Sequence, residues 1–291
     1  MLMHPFCLDL WRGLANPLAG GVYDRPMYPS NPTQIVARAV VWGFFVMHLL
    51  AQPVYSLLPE SLELLGSLLI VFGFAAFSFS HLWVNRGAKA ALSLLLICFV
   101  VAGGSEILSV HTGFPYGWYS YTHKLGFAIY GVPLLVPVCW LMMAYPASRV
   151  AALIAPRGWI VAISALSLTA WDVFLDPQMV RTGYWVWARQ GEYLGIPLEN
   201  YAGWGLTALL VFGLYYRFVP PQPLVRTDWF GVLPVLAYVW TWFGSSVVNL
   251  FWWGQPVVAV AGFVCMGLFA IPAVFKLVKR PPIGQMRFGN A

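Results

Sequence analysis

Acidic residues are scarce in this chain: 10 Asp and Glu among 291 residues, with only 9% of positions charged. Soluble globular domains carry roughly 25% charged residues, so that class is excluded. Cysteine is scarce as well. Cys7, Cys98, Cys139 and Cys265 share no Cys-x-x-Cys or Cys/His spacing, which argues against a disulfide framework or a cysteine metal site. They read as small apolar packing residues. A Walker loop, a G-x-G-x-x-G turn and a G-x-S-x-G elbow are also missing, so nucleotide-driven chemistry and serine hydrolysis have no anchor.

Apolar surface is what the chain has in excess. It is 60% hydrophobic and 17% aromatic, with a mean hydropathy of +0.74. A membrane-spanning helix needs about 20 apolar residues. Eight such runs occur, at roughly 34–52, 61–84, 89–110, 126–145, 157–176, 200–218, 228–250 and 255–277. The predicted class is therefore all-α: a polytopic integral membrane protein of about eight transmembrane helices. A single transmembrane catalytic domain covers 34–277, between an N-terminal cytoplasmic segment (1–33) and a cytoplasmic tail (278–291). In the first segment Phe6, Leu10 and Leu14 share a helical face, so an interfacial helix and a plain tail both fit. Prolines and charges interrupt these residues, and no cleavable leader is expected.

Basic residues set the orientation. Arg12, Arg25 and Arg38 precede span 1, and Arg86 and Lys89 lie between spans 2 and 3. Arg149 and Arg157 lie between 4 and 5, Arg217 and Arg226 between 6 and 7, and Lys276, Lys279, Arg280 and Arg287 follow span 8. That is 13 of 16 Lys and Arg on one side, leaving Lys124, Arg181 and Arg189 on the other. By the positive-inside rule both termini are cytoplasmic, in the cell (inner) membrane. The net charge of +6 is thus a topology signal directed at anionic headgroups, with no sign of nucleic-acid binding.

Three of the rare acids, Glu106, Asp172 and Asp176, stand at or near the ends of long apolar runs. An ionisable group inside a membrane segment is costly enough to be a functional-site hypothesis by default. The middle of the chain also contains an echo. Glu106 is followed by Thr112-Gly113, an aromatic loop, Gly131-Val132-Pro133-Leu134 and Trp140. Asp176 is followed by Thr182-Gly183, another aromatic loop, Gly195-Ile196-Pro197-Leu198 and Trp204. Apart from the loop length the spacing is kept, which suggests a helix–loop–helix duplication of spans 3–4 and 5–6. Chance recurrence among abundant Gly, Pro and Trp is the competing explanation. Asp172, i−4 from Asp176, shares its helical face and lies deeper. His48, Glu63, Asn200 and Asn249 fall in the same outer half of the membrane, so one site opening towards the outer leaflet is expected.

The loops after the acids, Phe114 to Tyr121 and Gly183 to Trp187, are dense in aromatics. Part of that density is an interfacial belt. Aromatic faces also stabilise cations, and more so where water is excluded. An acid beside such faces suits protonation of an electron-rich hydrocarbon, because the rings shield the carbocation formed. A carboxyl in apolar surroundings resists ionisation and so can keep a proton to donate. Asp172 is the expected donor, with Asp176 and Glu106 orienting a water molecule or taking back a proton. The candidate substrate-binding set is Thr112, Phe114, Tyr116, Trp118, Tyr119, Tyr121, Trp171, Trp185, Trp187, Asn200, Trp204 and Asn249. The competing reading is a set of satisfied hydrogen bonds between helices. Asp172 and Asp176 could instead hold Mg²⁺ for a diphosphate, but such sites need a denser acidic motif. No metal is expected. His111 and His123 read as interfacial hydrogen-bonding residues, and His81 as structural.

The run from Glu106 through Thr112-Gly113-Phe114-Pro115-Tyr116-Gly117-Trp118-Tyr119-Ser120-Tyr121 resembles the CruF-type carotenoid 1,2-hydratases. So do Gly131-Val-Pro-Leu, Asp172-Val-Phe-Leu-Asp176-Pro-Gln-Met and Gly195-Ile-Pro-Leu-Glu-Asn-Tyr-Ala-Gly-Trp204. The likeness extends over roughly 35–275. It implies addition of water to the terminal C1=C2 bond of an acyclic (ψ) carotenoid such as γ-carotene or lycopene, with no redox or nucleotide cofactor. The substrate would lie within the bilayer, and association with other carotenoid-biosynthesis enzymes is implied. Two alternatives stay open: a carotenoid end-group cyclase or isomerase, which must exclude water, and a membrane transporter, which would need polar residues along a full path. Asn200, Asn249 and Thr112 favour hydration. Side-reporting fusions at residues 124 and 189 are expected outside the cytoplasm, and fusions at 87 and 291 inside it; the reverse pattern would invert the topology.

Overall fold

In hydrocarbon every backbone N–H and C=O must find its partner within the protein, which leaves the helix as the default for each apolar run. The computed structural model describes residues 31–279 apart from 56, 157, 223 and 225–228. The expected N-terminal interfacial helix, the tail beyond 279, Cys7, Arg157 and Arg226 lie outside the described residues. Among the described residues eight long helices occur: α1 Pro32–Tyr55, α2 Glu63–Arg86, α3 Ala88–Thr112, α4 Leu135–Ile154, α5 Ile160–Thr182, α6 Leu198–Phe218, α7 Leu233–Phe251 and α8 Pro256–Val278. They correspond one to one with the eight apolar runs. Seven are long and apolar enough to cross a membrane; α6 is diluted by Glu199, Asn200, Tyr215, Tyr216 and Arg217.

Two spans differ from expectation. Span 4 is expected at 126–145, but α4 runs from Leu135 to Ile154. Glycines at 126 and 131 take positive φ, and residues 128–133 form a hairpin of β2 (Ala128–Ile129) against β3 (Val132–Pro133). Its apolar side chains imitate a span in the sequence. Span 5 was expected to end at Asp176, yet α5 continues to Thr182 through Pro177. Proline cannot donate to the carbonyl four residues back. The Tyr193 hydroxyl donates instead to that Val173 carbonyl at 3.4 Å. Pro146 inside α4 is handled the same way, since Ser78 Oγ donates to the freed Met142 carbonyl at 2.7 Å.

Helices α3 and α5 end alike, on Gly113 and Gly183 in the left-handed region (φ 79° and 68°). That conformation costs a residue without Cβ nothing. The chain then enters β1 (Tyr119–Tyr121) after α3 and β4 (Trp185–Trp187) after α5. The two strands pair antiparallel, Tyr119 with Trp187, Ser120 with Val186 and Tyr121 with Trp185. Within α3 a π-helical turn, Cys98–Ala102, rotates the face that follows it, and Glu106 lies one turn beyond.

At the opposite end of the bundle Arg86 of α2 donates to the Pro220 carbonyl at 2.8 Å, and Arg149 of α4 to that of Gln222 at 3.2 Å. Lys276 of α8 donates to Leu153 at 3.1 Å. The C-terminal ends of α2, α4 and α8 and the loop after α6 therefore gather together, at the end the basic residues assign to the cytoplasm. His81 is structural there, bridging the Tyr145 hydroxyl at 2.8 Å and the Phe230 carbonyl at 2.7 Å.

Gly203 of α6 lets the loop after α3 lie against the helix: a Cβ there would sit 2.5 Å from the Pro115 carbonyl oxygen and 2.6 Å from the Tyr116 ring. Overpacking of this kind costs about 1–3 kcal/mol. Gly203→Ala is expected to lower the melting temperature in detergent. Gly205→Ala, whose Cβ would meet only Thr169 Oγ1 at 3.9 Å, is the control expected to leave it unchanged or raise it.

Candidate functional site

Helical spacing places Asp172 and Asp176 one turn apart on one face of α5. The first turn of α6 brings Asn200 against both. Its amide Nδ2 donates to Asp172 Oδ2 at 2.9 Å and to Asp176 Oδ2 at 2.6 Å. The remaining oxygen of Asp176 accepts from the indoles of Trp185 at 2.8 Å and Trp187 at 3.3 Å. Glu106, from α3, is held in the same manner by the other strand. Its Oε2 accepts from the hydroxyls of Tyr119 and, at 2.8 Å, Tyr121, while Oε1 accepts from Trp140 Nε1 at 3.4 Å.

Strand alternation explains the arrangement. Residues two apart point to one face, so Tyr119 with Tyr121, and Trp185 with Trp187, present paired donors to the acids. Glu106 and Asp176 are thus each bonded by two aromatic donors from the strand that follows their own helix. Trp140 and Trp204, equivalent in the sequence echo, stack at 4.3 Å and 13°. Burial, followed by the Glu106 carboxylate, pushes the Tyr119 and Tyr121 phenols well above their usual range, so both remain O–H donors.

Glu106 and Asp176 border a cavity of about 140 Å³. Much of its lining is apolar, with Val71, Phe74, Val136, Met142, Met143 and Phe174. Another part of the lining carries His48 and Gln52 of α1 with Thr241 and Ser245 of α7. Odd-numbered helices α1 to α7 contribute residues from their C-terminal halves, and even-numbered helices α2 to α6 from their N-terminal halves. The helices therefore alternate in direction, and the cavity lies at the end away from Arg86, Arg149 and Lys276. Tyr55 meets Trp253 edge-on at 6.2 Å, and the Arg181 guanidinium lies 4.5 Å above the Trp253 ring. Tyr55 and Trp253 both line the cavity.

The structure brings ten of the expected residues to this cavity: Glu106, Asp176, Tyr116, Tyr119, Tyr121, Trp171, Trp185, Trp187, Asn200 and Trp204. Asp172 is not among them. It is fully buried against Asn200, away from the cavity wall, and its Oδ1 has no hydrogen-bond partner. Asp176 is therefore the acid of α5 that borders the cavity, and Asp172, the expected donor, is joined to it through the Asn200 amide. Thr112 back-bonds to Leu108 on the surface, and Phe114 and Trp118 are 60% and 50% exposed. They belong to the outer face of the loop. Asn249 is buried but donates to the Ser245 carbonyl of its own helix at 2.8 Å. His111 makes the interfacial bond expected of it, to the Tyr130 carbonyl at 3.2 Å.

Sequence reasoning missed Gln52, Ser67, Tyr184, Thr241 and Ser245. A signal for three of them was present: His48 with Gln52, and Thr241 with Ser245, are polar pairs at i, i+4 within apolar helices. Among the described residues no three His, Cys, Asp or Glu side chains converge as a metal ion would require.

A family model described as "Carotenoid biosynthesis protein" matches residues 65–269. Over 194 residues the chain is 30% identical to a protein named bisanhydrobacterioruberin hydratase from Haloarcula japonica, an overlap covering 64% of this chain and 64% of that protein. The match thus spans under two thirds of the relative's length. No solved structure matches. The matched residues run from α2 into α8 and contain all three acids, both paired strands and Asn200. The chain belongs to the family of carotenoid biosynthesis proteins.

Proposed function

We propose that this protein is a carotenoid hydratase, adding water to the terminal C1=C2 bond of an acyclic (ψ) end group without a redox or nucleotide cofactor. The observation that carries this reading is the pair of hydrogen-bonded carboxyls, Glu106 and Asp176, on the wall of an aromatic cavity inside a membrane bundle. A long polyene dissolves in the bilayer and needs only its end group at that wall. The name of the Haloarcula japonica relative supports hydration as the reaction.

Asp176 is the proposed proton donor. Its partners Trp185, Trp187 and Asn200 present only N–H groups to it, so none can accept a hydrogen bond from a proton that it carries. Such a proton is left for the cavity. Transfer to C2 leaves a tertiary cation at C1. The Tyr119, Tyr121, Trp185 and Trp187 rings line the space around it, and cation–π attraction strengthens where water is excluded. Glu106, held by two phenols and an indole, supplies the fixed counter-charge. Water then bonds to C1 and loses a proton, giving the tertiary alcohol. Asp172, joined to Asp176 through the Asn200 amide, is a positioning residue behind the donor.

In a host that accumulates lycopene or γ-carotene, expression is expected to yield pigment heavier by one water. Asp176→Asn and Glu106→Gln are expected to lower that product by about 100-fold or more, the scale of a lost general acid. Asp172→Asn should cost less than Asp176→Asn. Equal product from wild type and Asp176→Asn would remove Asp176 from the donor role, and an isomer of unchanged mass from the wild type would point to the cyclase. Asn200→Ala, which strips a shared donor from two buried carboxyls, is expected to destabilise the protein by about 1–3 kcal/mol, read as a lowered melting temperature.

A further inference from the structure

His48 is 3% exposed, lines the cavity and lies stacked on Phe74 at 3.8 Å. The Thr241 hydroxyl donates to the Ala237 carbonyl at 3.0 Å. Its oxygen is therefore the acceptor in the 3.5 Å contact with His48 Nε2. That puts the imidazole proton on Nε2 and leaves the Nδ1 lone pair without a hydrogen-bond partner. One turn further along α1, Gln52 donates through Nε2 to Ser245 Oγ at 2.9 Å, and its Oε1 likewise has no partner. Residues i and i+4 share a helical face, and both line the same cavity as Glu106 and Asp176.

Two buried acceptors without donors are costly unless something fills them. Their complement is a small neutral molecule with two O–H donors. A single water has two O–H groups to offer, whereas an alcohol has one. A water held by both hydrogens turns its lone pairs towards the cavity, the posture needed to capture a cation. We propose that His48 Nδ1 and Gln52 Oε1 hold the water that attacks C1, and that His48 accepts its proton as the C–O bond forms. This rests on the hydratase reading above. The balance closes: Asp176 gives a proton to C2, water oxygen bonds to C1, one water O–H breaks onto His48, and that proton returns to Asp176 to reset the site.

The test uses membranes bearing the full-length protein, given lycopene in detergent micelles in D₂O, with hydrate and deuterium at C2 both read by mass spectrometry. In His48→Leu the cation still forms but loses a proton in place of gaining water. Hydrate is expected to fall by about 100-fold, while deuterium still enters the recovered carotenoid at a rate close to wild type. Gln52→Leu is expected to show the same split, less strongly. Hydration at the wild-type rate in His48→Leu would overturn the proposal. So would parallel loss of hydration and exchange in a variant that melts like wild type, since protonation does not need the water site. Should His48→Leu fail to insert, Gln52→Leu decides by the same two readouts. Exchange without hydrate in the wild type would instead overturn the hydratase reading itself.

Discussion

A carboxyl group inside a bilayer must be met by donors from the protein, because no solvent is present to supply them. Much of the cavity end of this molecule answers that demand. Glu106 and Asp176 together draw on two phenols, three indoles and one amide. Those donors come from three sources: a two-stranded ribbon, α4 and the first turn of α6. The ribbon joins two loops far apart in sequence, and beneath it α3 and α5 each pack against α4 and α6, which carry Trp140 and Asn200 to the acids. Satisfying the acids and assembling the site are one event.

The same economy governs the backbone. Pro177 directly follows Asp176, and the carbonyl it frees is met by Tyr193 from the loop leading to Asn200. Tyr116 reaches from the loop after α3 to Ser105 at 2.7 Å and Thr207 at 2.9 Å, tying that loop to α3 and α6. The aromatics expected to form an interfacial belt divide by strand alternation. Tyr119, Tyr121, Trp185 and Trp187 turn inward to the carboxyls, while Val186 between the tryptophans is exposed. The ribbon's aromatics all belong to the binding wall, and its other face carries Ser120 and Val186.

This division marks how far the sequence could be read. Apolar run length and basic-residue asymmetry made the eight helices legible, because both are one-dimensional consequences of the bilayer. The acids were legible because charge in an apolar run is rare. Helical spacing puts Asp172 on one face with Asp176, but only the packing of α6 shows that one Asn200 amide joins the two and that Asp176 is the one lining the cavity. The hairpin at 128–133 was hidden by side chains as apolar as a span. His48, Gln52, Thr241 and Ser245 show the converse. Each is unremarkable alone, and their meaning lies in the contact between α1 and α7, which no local pattern displays.

The cavity places different chemistry on different helices, with carboxyls from α3 and α5 and free acceptors from α1. In the proposed reaction that separation matters more than the strength of any single group. A cation made beside Asp176 can return its proton, close a ring or take up water, and the nearest competent partner decides among these outcomes. Aromatic rings hold the cation but contribute neither a base nor a nucleophile, so they preserve it without choosing its fate. The choice then falls to the α1 and α7 side, where an imidazole with a bare Nδ1 and an unpartnered amide oxygen lie in an otherwise apolar wall. Filling that wall with hydrocarbon side chains would leave the proton donor intact and remove the means of capturing water, which is the physical distinction between a hydratase and a cyclase built on the same bundle.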